Sequence, residues 1–99
     1  MELSERQKKH LRGLAHSRKP LVYVGKDGMS DGVARELDIA LGAHELVKVG
    51  ARVDDREERE QILAELAKRT SSSLVQRIGK IGVFYRASKD QPRITLPDG

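Results

Sequence analysis

The chain has 99 residues, of which 37% are hydrophobic, and it carries a formal net charge of +4. It contains no cysteine, which excludes disulfides, thiol catalysis and cysteine-based metal sites. No apolar run is long enough to span a bilayer, and the charged N-terminus lacks the apolar stretch of a secretory signal. We therefore expect a single monomeric domain in the cytoplasm, with no membrane partner.

The N-terminal segment predicts a helix followed by a short strand. Ser4 and Gln7 fit a capping box, and Pro20 limits the helix on its other side, so we place it over residues 4–16. Residues 21–24 are wholly apolar, which is typical of a strand in the interior of a sheet.

A glycine-containing loop at residues 25–28 then leads into a second helix. Ser30 is its expected N-cap, and Gly42 is expected to mark its end. Residues 45–53 are rich in β-formers and predict the second strand, with Gly50 as a bulge or strand end.

The C-terminal half predicts one more helix and a β-hairpin. Asp54 or Asp55 is expected to cap the third helix, and the serines at 71–73 to end it. Strands at 74–78 and 81–86 flank a Gly-Lys turn, as in a hairpin. We expect a domain over residues 1–87, and residues 88–99 to be a loosely ordered tail.

The predicted order is helix, strand, helix, strand, helix, strand, strand. Strand–helix–strand units require right-handed crossovers and parallel pairing, whereas the closing hairpin adds an antiparallel strand. The fold class is therefore α/β, with three helices packed on a four-stranded mixed sheet.

Charge is distributed unevenly along the chain. Residues 1–28 carry seven basic and three acidic side chains, and residues 73–99 carry five and two. The segment between them is acidic, with seven basic and ten acidic side chains. If the termini lie close together, they form a basic face that attracts polyanions, above all nucleic acid.

The loop sequence Gly25-Lys26-Asp27-Gly28 lies between a strand and a capped helix. Glycines let the backbone approach a phosphate, the helix N-terminus favours negative charge, and Lys26 adds a cation. The Gly-x-x-Gly form is also the one with which K-homology domains clamp a nucleic-acid backbone. The alternative is that Gly28 only supplies a positive φ in a tight turn and that Gly25 only ends the strand.

Residues 7–49, together with 76–80, 83–86 and 92–97, resemble the bacterial YhbY-type CRM domain, an RNA-binding module. The resemblance implies an αβαβαββ fold similar to the C-terminal domain of translation initiation factor three. It also implies binding to ribosomal RNA in precursors of the large subunit, and a role in ribosome assembly.

The resemblance also assigns candidate RNA-binding residues. It makes residues 25–28 the RNA-binding loop, in which the negative charge of Asp27 departs from a purely basic loop. To this loop we add basic side chains elsewhere in the chain as our own candidates. The candidates are Gly25, Lys26, Asp27 and Gly28 in the loop, Arg6, Lys9 and Arg12 on the first helix, and Lys19, Lys48 and Arg86.

Other kinds of site have little support in the sequence. His10, His16 and His44 lack metal-ligand spacing, and no serine has an evident base nearby, so we expect no metal, cofactor, small-molecule substrate or enzymatic activity. Aromatic residues are few, which predicts recognition of RNA mainly through its backbone and shape.

Three alternative functions remain open at the level of sequence. The chain could act as a general RNA chaperone or splicing-type protein on other RNA. It could bind DNA as a chromatin-type protein. It could also be a protein–protein adaptor that docks through its acidic third helix.

Overall fold

The computed structural model describes residues 2–99, which form three helices and four strands. In chain order these elements are α1 (Glu5–Ala15), β1 (Val22–Val24), α2 (Asp31–His44), β2 (Leu46–Ala51), α3 (Arg56–Thr70), β3 (Ser73–Ile78) and β4 (Ile81–Tyr85). The predicted αβαβαββ order is confirmed.

The four strands form one mixed sheet in the order β1-β2-β4-β3. β1 pairs parallel with β2, and the other two pairings are antiparallel. The prediction of an interior position for the first strand is wrong, because β1 lies at the edge. Its two valines are buried, whereas Tyr23 between them is 47% exposed. The sequence prediction treats Tyr23 as one of four apolar strand residues. In the structure its ring lies on the face of the sheet opposite to that of the two valines, and this face is less covered.

One face of the sheet is covered by α2 and α3. Leu37 and Leu41 of α2 and Leu63 and Leu66 of α3 pack with Phe84 of β4 in the main core, and all are at most 1% exposed. Burying one such side chain stabilises a protein by about 1.5–3 kcal/mol. This layer therefore holds the strands in place.

The opposite face of the sheet is covered by α1. Leu11 and Ala15 of α1 pack on Leu46, Val83 and Tyr85. α1 contacts β2, β3 and β4. Side chains of β1 on this face therefore remain accessible, which becomes important for the candidate site.

Capping residues set the helix starts as predicted. The Ser4 hydroxyl accepts from the Gln7 backbone N–H, and the Gln7 side chain accepts from the Ser4 backbone N–H. Ser30 caps α2, and Asp55 caps α3. Asp54 pairs instead with Lys80 at 2.8 Å.

The predicted end of the second helix at Gly42 is wrong, since α2 continues to His44. The helix ends where Glu45 adopts a φ of +64°, while its N–H donates to the carbonyl oxygen of Leu41. A positive φ is unusual for a residue with a Cβ. It follows that Glu45 is held there by contacts made elsewhere in the molecule.

Those contacts involve residues 88–99, which form no helix or strand. The buried Glu45 carboxylate accepts backbone N–H bonds from Ser88 (2.5 Å), Arg93 (2.6 Å) and Ile94 (2.8 Å). Burial by itself raises the pKa of this carboxyl, but these N–H groups lower it, and the resulting pKa lies below its ordinary value. Ile94 and Leu96 also pack on the α1 side of the sheet. The expectation from the sequence that residues 88–99 are loosely ordered stays a prediction.

Candidate nucleic-acid interface

The Gly25–Gly28 segment is a tight turn closed by a hydrogen bond from the Gly28 N–H to the Gly25 carbonyl oxygen at 3.0 Å. Gly28 has a φ of +80°, and a Cβ there would lie 3.6 Å from Ile62 and 3.8 Å from the Glu58 carboxylate. Gly25 faces open space and needs no such φ. Gly28 is therefore required by the turn itself, whereas Gly25 leaves room for a ligand.

Lys26 and Asp27 are both exposed at the tip of this turn. Beyond it, the Ser30 hydroxyl accepts the N–H of Val33, and Asp31 pairs with Arg69 at 2.8 Å. The N-terminus of α2 is therefore flanked by carboxylates as well as by Lys26, and the Asp31 carboxylate is paired with Arg69. Those carboxylates weaken the attraction that a helix N-terminus offers to an anion.

A larger concentration of positive charge lies on the α1 side of the sheet. Lys9 and Arg12 of α1 and Lys48 of β2 border a concavity of about 620 Å³, and His16, which follows α1, also lines it. The α1 side chains flank it because Leu11 and Ala15 anchor the same helix in the core. Ile81 and Val83 line its floor.

A second, smaller groove adjoins the first through Lys48. Arg18, Lys19 and His44 line it together with Lys48. The Arg18 guanidinium donates to the Leu46 carbonyl oxygen at 2.7 Å, and the Lys48 ammonium donates to the Arg18 carbonyl oxygen at 3.0 Å. These two bonds tie the segment after α1 to β2. We call the whole group the basic surface, comprising Lys9, Arg12, His16, Arg18, Lys19 and Lys48.

The structure thus brings together four of the predicted residues, which are Lys9, Arg12, Lys19 and Lys48. Lys26 lies apart from them, in the turn beyond the opposite end of β1. A strand rises about 3.3 Å per residue, so the three residues of β1 put the turn roughly 10 Å further along the edge.

Two other candidates are engaged within the protein. The Arg86 guanidinium lies 2.6 Å from the Asp38 carboxylate, donates to the Thr70 carbonyl oxygen at 2.8 Å, and has a side chain only 26% exposed. Arg6 is exposed, and its guanidinium reaches the carbonyl oxygen of Asp98 at 3.4 Å.

Sequence reasoning missed two residues that lie between the basic surface and the turn. Tyr23 projects from β1, and the Arg52 guanidinium carbon lies 4.6 Å from the centre of its ring. Alternation along the predicted second strand, residues 45–53, offered a signal, because Lys48, Gly50 and Arg52 lie two residues apart in it and should face the same way. Assigning that face required the register with β1.

Within residues 2–99, no group of three or more histidine, aspartate or glutamate side chains is arranged to hold a metal ion. Over the same residues, none of the helices has the length and apolar character needed to cross a membrane. The cations of the basic surface are suited to neutralising the charges of a polyanion.

The chain belongs to the CRS1/YhbY (CRM) domain family, whose model matches residues 3–86. Among its relatives, a Haemophilus influenzae protein named as an RNA-binding protein is 42% identical over 95 residues, covering 96% of this chain and 95% of that one. Bacillus subtilis YqeI, named as a probable RNA-binding protein, is 38% identical over 95 residues, with 96% and 99% covered.

A solved structure agrees with the fold. The solution structure of a hypothetical Staphylococcus aureus protein, described there as a candidate RNA-binding protein, is similar with a TM-score of 0.84. It is 35% identical, and the match covers 97% of this chain and 100% of that one. The α/β fold predicted from sequence is therefore confirmed, as is membership of the family.

Proposed function

We propose that this protein binds RNA through the basic surface, with the Gly25–Gly28 turn as an auxiliary contact. The observation that carries the proposal is the convergence of Lys9, Arg12 and Lys48 around one concavity on an exposed face. Relatives of high coverage are named as RNA-binding proteins, which supports the same conclusion. We propose that RNA binding involves no catalysis and no cofactor.

The distribution of acidic side chains favours one orientation on RNA. α3 packs on the opposite face of the sheet, and Glu57 and Glu58 in its first turn are exposed. Their charge repels phosphate, whereas the basic surface attracts it. The α1 side of the domain therefore faces the RNA in this proposal.

The proposed RNA is large-subunit ribosomal RNA in pre-ribosomal particles. In this proposal the protein is a cytoplasmic monomer that assists the assembly of those particles. This partner follows from the family resemblance. A surface that combines several cations with a shallow concavity is suited to binding this RNA, because proteins recognise folded RNA largely by its backbone and shape.

The candidate contacts do not contribute equally. The four predicted residues in the basic surface have the largest share, because several cations act on the same phosphates there. Lys26 is a single cation beside Asp27, so we assign the turn a smaller share. Lys48 makes one bond to the Arg18 carbonyl oxygen and keeps two further N–H donors for phosphate. Arg86 is half-buried and bound to Asp38 and Thr70, so RNA would have to compete with those partners, and Arg6 lies outside the basic surface.

Sucrose-gradient sedimentation of tagged protein from cell lysate tests both the site and the partner. We expect wild type to travel with large-subunit precursors and Lys9→Gln/Arg12→Gln/Lys48→Gln to remain at the top while folded. A matched control, Arg35→Gln/Arg56→Gln/Lys68→Gln, removes the same charge from α2 and α3 and should sediment like wild type.

A separate variant tests the turn. Gly25→Asp with Lys26→Ala changes the net charge of the turn from zero to −2 without straining the backbone, unlike a change at Gly28. We expect partial loss of sedimentation with precursors.

Other outcomes would identify a different function. If wild type sediments with no ribosomal particle, another RNA is the partner. If the basic-surface variant sediments like wild type in a complex that resists nuclease, RNA binding by this surface is refuted and a protein adaptor is favoured. Stronger binding to duplex DNA than to RNA at matched salt would favour a chromatin-type role.

A further inference from the structure

The sheet edge beside the basic surface carries the one aromatic side chain of the chain that is substantially exposed. The other two aromatic residues, Phe84 and Tyr85, are at most 3% exposed, whereas Tyr23 is 47% exposed. An exposed ring on an edge strand contributes little to a core. It is therefore available for contact with a ligand.

The position of the Tyr23 ring is set by its close packing on Gly50. Tyr23 pairs with Gly50 of β2, and a Cβ added to Gly50 would lie only 2.8 and 2.9 Å from two carbons of the ring. Any larger residue at position 50 would displace the ring. The absence of a side chain at Gly50 thus lets the ring lie close against the sheet, with its position set in advance.

A guanidinium group extends this arrangement. The Arg52 guanidinium carbon lies over the Tyr23 ring, 4.6 Å from its centre, and Arg52 is exposed. Both aromatic rings and guanidinium planes serve as stacking surfaces for unpaired bases. Tyr23 and Arg52 together form what we call the stacking platform.

The stacking platform is continuous with the basic surface. The Cδ1 atom of Ile81 lies 3.9 Å from the point that a Cβ of residue 50 would occupy, beside the Tyr23 ring. Ile81 also lines the concavity bordered by Lys9 and Lys48. Next to it, Ile78 lines the same concavity and is 58% exposed. An apolar floor therefore runs from the platform to the cations.

A nucleotide has the complementary chemistry, because its base has apolar faces and its phosphate is an anion. The geometry points to a binding site for one unpaired nucleotide of RNA, with its base added to the end of the Tyr23–Arg52 stack and its phosphate near Lys9, Arg12 and Lys48. This site rests on the proposed function and adds to it a preference for RNA with an unstacked base. The sequence predicts recognition mainly through the RNA backbone and shape, and the nucleotide site would add contact with a base.

The test compares two RNA stems that carry the same charge. One contains a single bulged adenosine, and the other an abasic nucleotide at the same position; both are labelled for fluorescence anisotropy at fixed salt. Stacking of one base contributes about 1–3 kcal/mol, so wild type should bind the adenosine stem roughly 5- to 150-fold more tightly. Tyr23→Ala should abolish this preference, and Tyr23→Phe should retain it.

Two controls separate this site from the general RNA-binding surface. Ile39→Ala removes a side chain that is 66% exposed on α2 and should leave the preference intact. The Lys9→Gln/Arg12→Gln/Lys48→Gln variant should weaken binding of both stems. Circular dichroism checks that each variant is folded.

Each further outcome decides between the two proposals. Equal binding of the two stems by wild type, or an unchanged preference in folded Tyr23→Ala, overturns the nucleotide site. If the triple variant nonetheless weakens both stems, the proposed function stands without that site. If the triple variant binds both stems as wild type does, the proposed function itself fails.

Discussion

Removing the Glu45 carboxylate should release residues 88–99 and destabilise the protein by about 3 kcal/mol. Hydrogen bonds to a charged group contribute about 1.5–3 kcal/mol each, and Glu45 accepts three of them, from Ser88, Arg93 and Ile94. Once residues 88–99 are released, however, their N–H groups hydrogen-bond to water. The total loss of stability is therefore limited to the free energy with which this segment docks on the domain. Breaking a buried charged cluster costs about 3–5 kcal/mol, and we expect the lower end for Glu45→Ala.

Thermal unfolding and amide hydrogen exchange measure this effect. For a domain of this size, 3 kcal/mol corresponds to a fall in Tm of roughly 12–24 °C. Amides of Arg93 and Ile94 should be protected in wild type and exchange rapidly in Glu45→Ala. Glu45→Gln retains one oxygen acceptor but presents an amide group in place of the other oxygen, so its loss should be about half as large.

A control and a contrary result complete the design. Glu36→Ala removes an exposed carboxylate from α2 and should change stability by less than about 0.5 kcal/mol. If the amides of Arg93 and Ile94 exchange equally slowly in wild type and Glu45→Ala, the carboxylate does not hold the segment. If they exchange rapidly in wild type, residues 88–99 are the loosely ordered tail that the sequence predicts.

Two further predictions concern pH and Arg86. Because folding lowers the pKa of Glu45, the contribution of this carboxylate to stability is complete above the ordinary pKa of 4.5 and is lost as pH falls through the folded pKa. Below about pH 4.5, Tm should therefore fall more steeply for wild type than for Glu45→Gln. Parallel curves of Tm against pH would exclude Glu45 as the origin of the acid sensitivity. Arg86→Lys should lower stability by about 1–2 kcal/mol, because Lys replaces contacts to Asp38 and Thr70 imperfectly, yet change the Kd for RNA less than twofold. A tenfold rise in Kd at unchanged stability would instead make Arg86 a direct RNA contact.

Elements that depend on local contacts were predictable from the sequence. The capping box joins Ser4 to Gln7, and the cap of α2 joins Ser30 to Val33, so both partners are visible within one short stretch. The hairpin strands are likewise close in sequence. Order and type of all seven elements followed from such signals together with apolar periodicity.

Features that depend on register or long-range contact were not predictable. The edge position of β1 depends on which strand pairs beside it, and the contact of Tyr23 with Gly50 depends on the register of that pairing. Glu45 reaches partners 43 to 49 residues away, which no local pattern encodes. The clustering of Lys9, Arg12 and Lys48 likewise needs the packing of α1 on the sheet.

The two ends of the described chain lie side by side. Gln7 donates from its side-chain amide to the Pro97 carbonyl oxygen at 3.0 Å, and Arg6 reaches Asp98 beside it. A domain with adjacent ends can be spliced into a surface loop of a host protein without stretching that loop. The same arrangement suits circular permutation, in which a short linker would join the old ends and the β3–β4 turn at Gly79 would supply new ones. This arrangement makes the domain a portable unit for protein engineering.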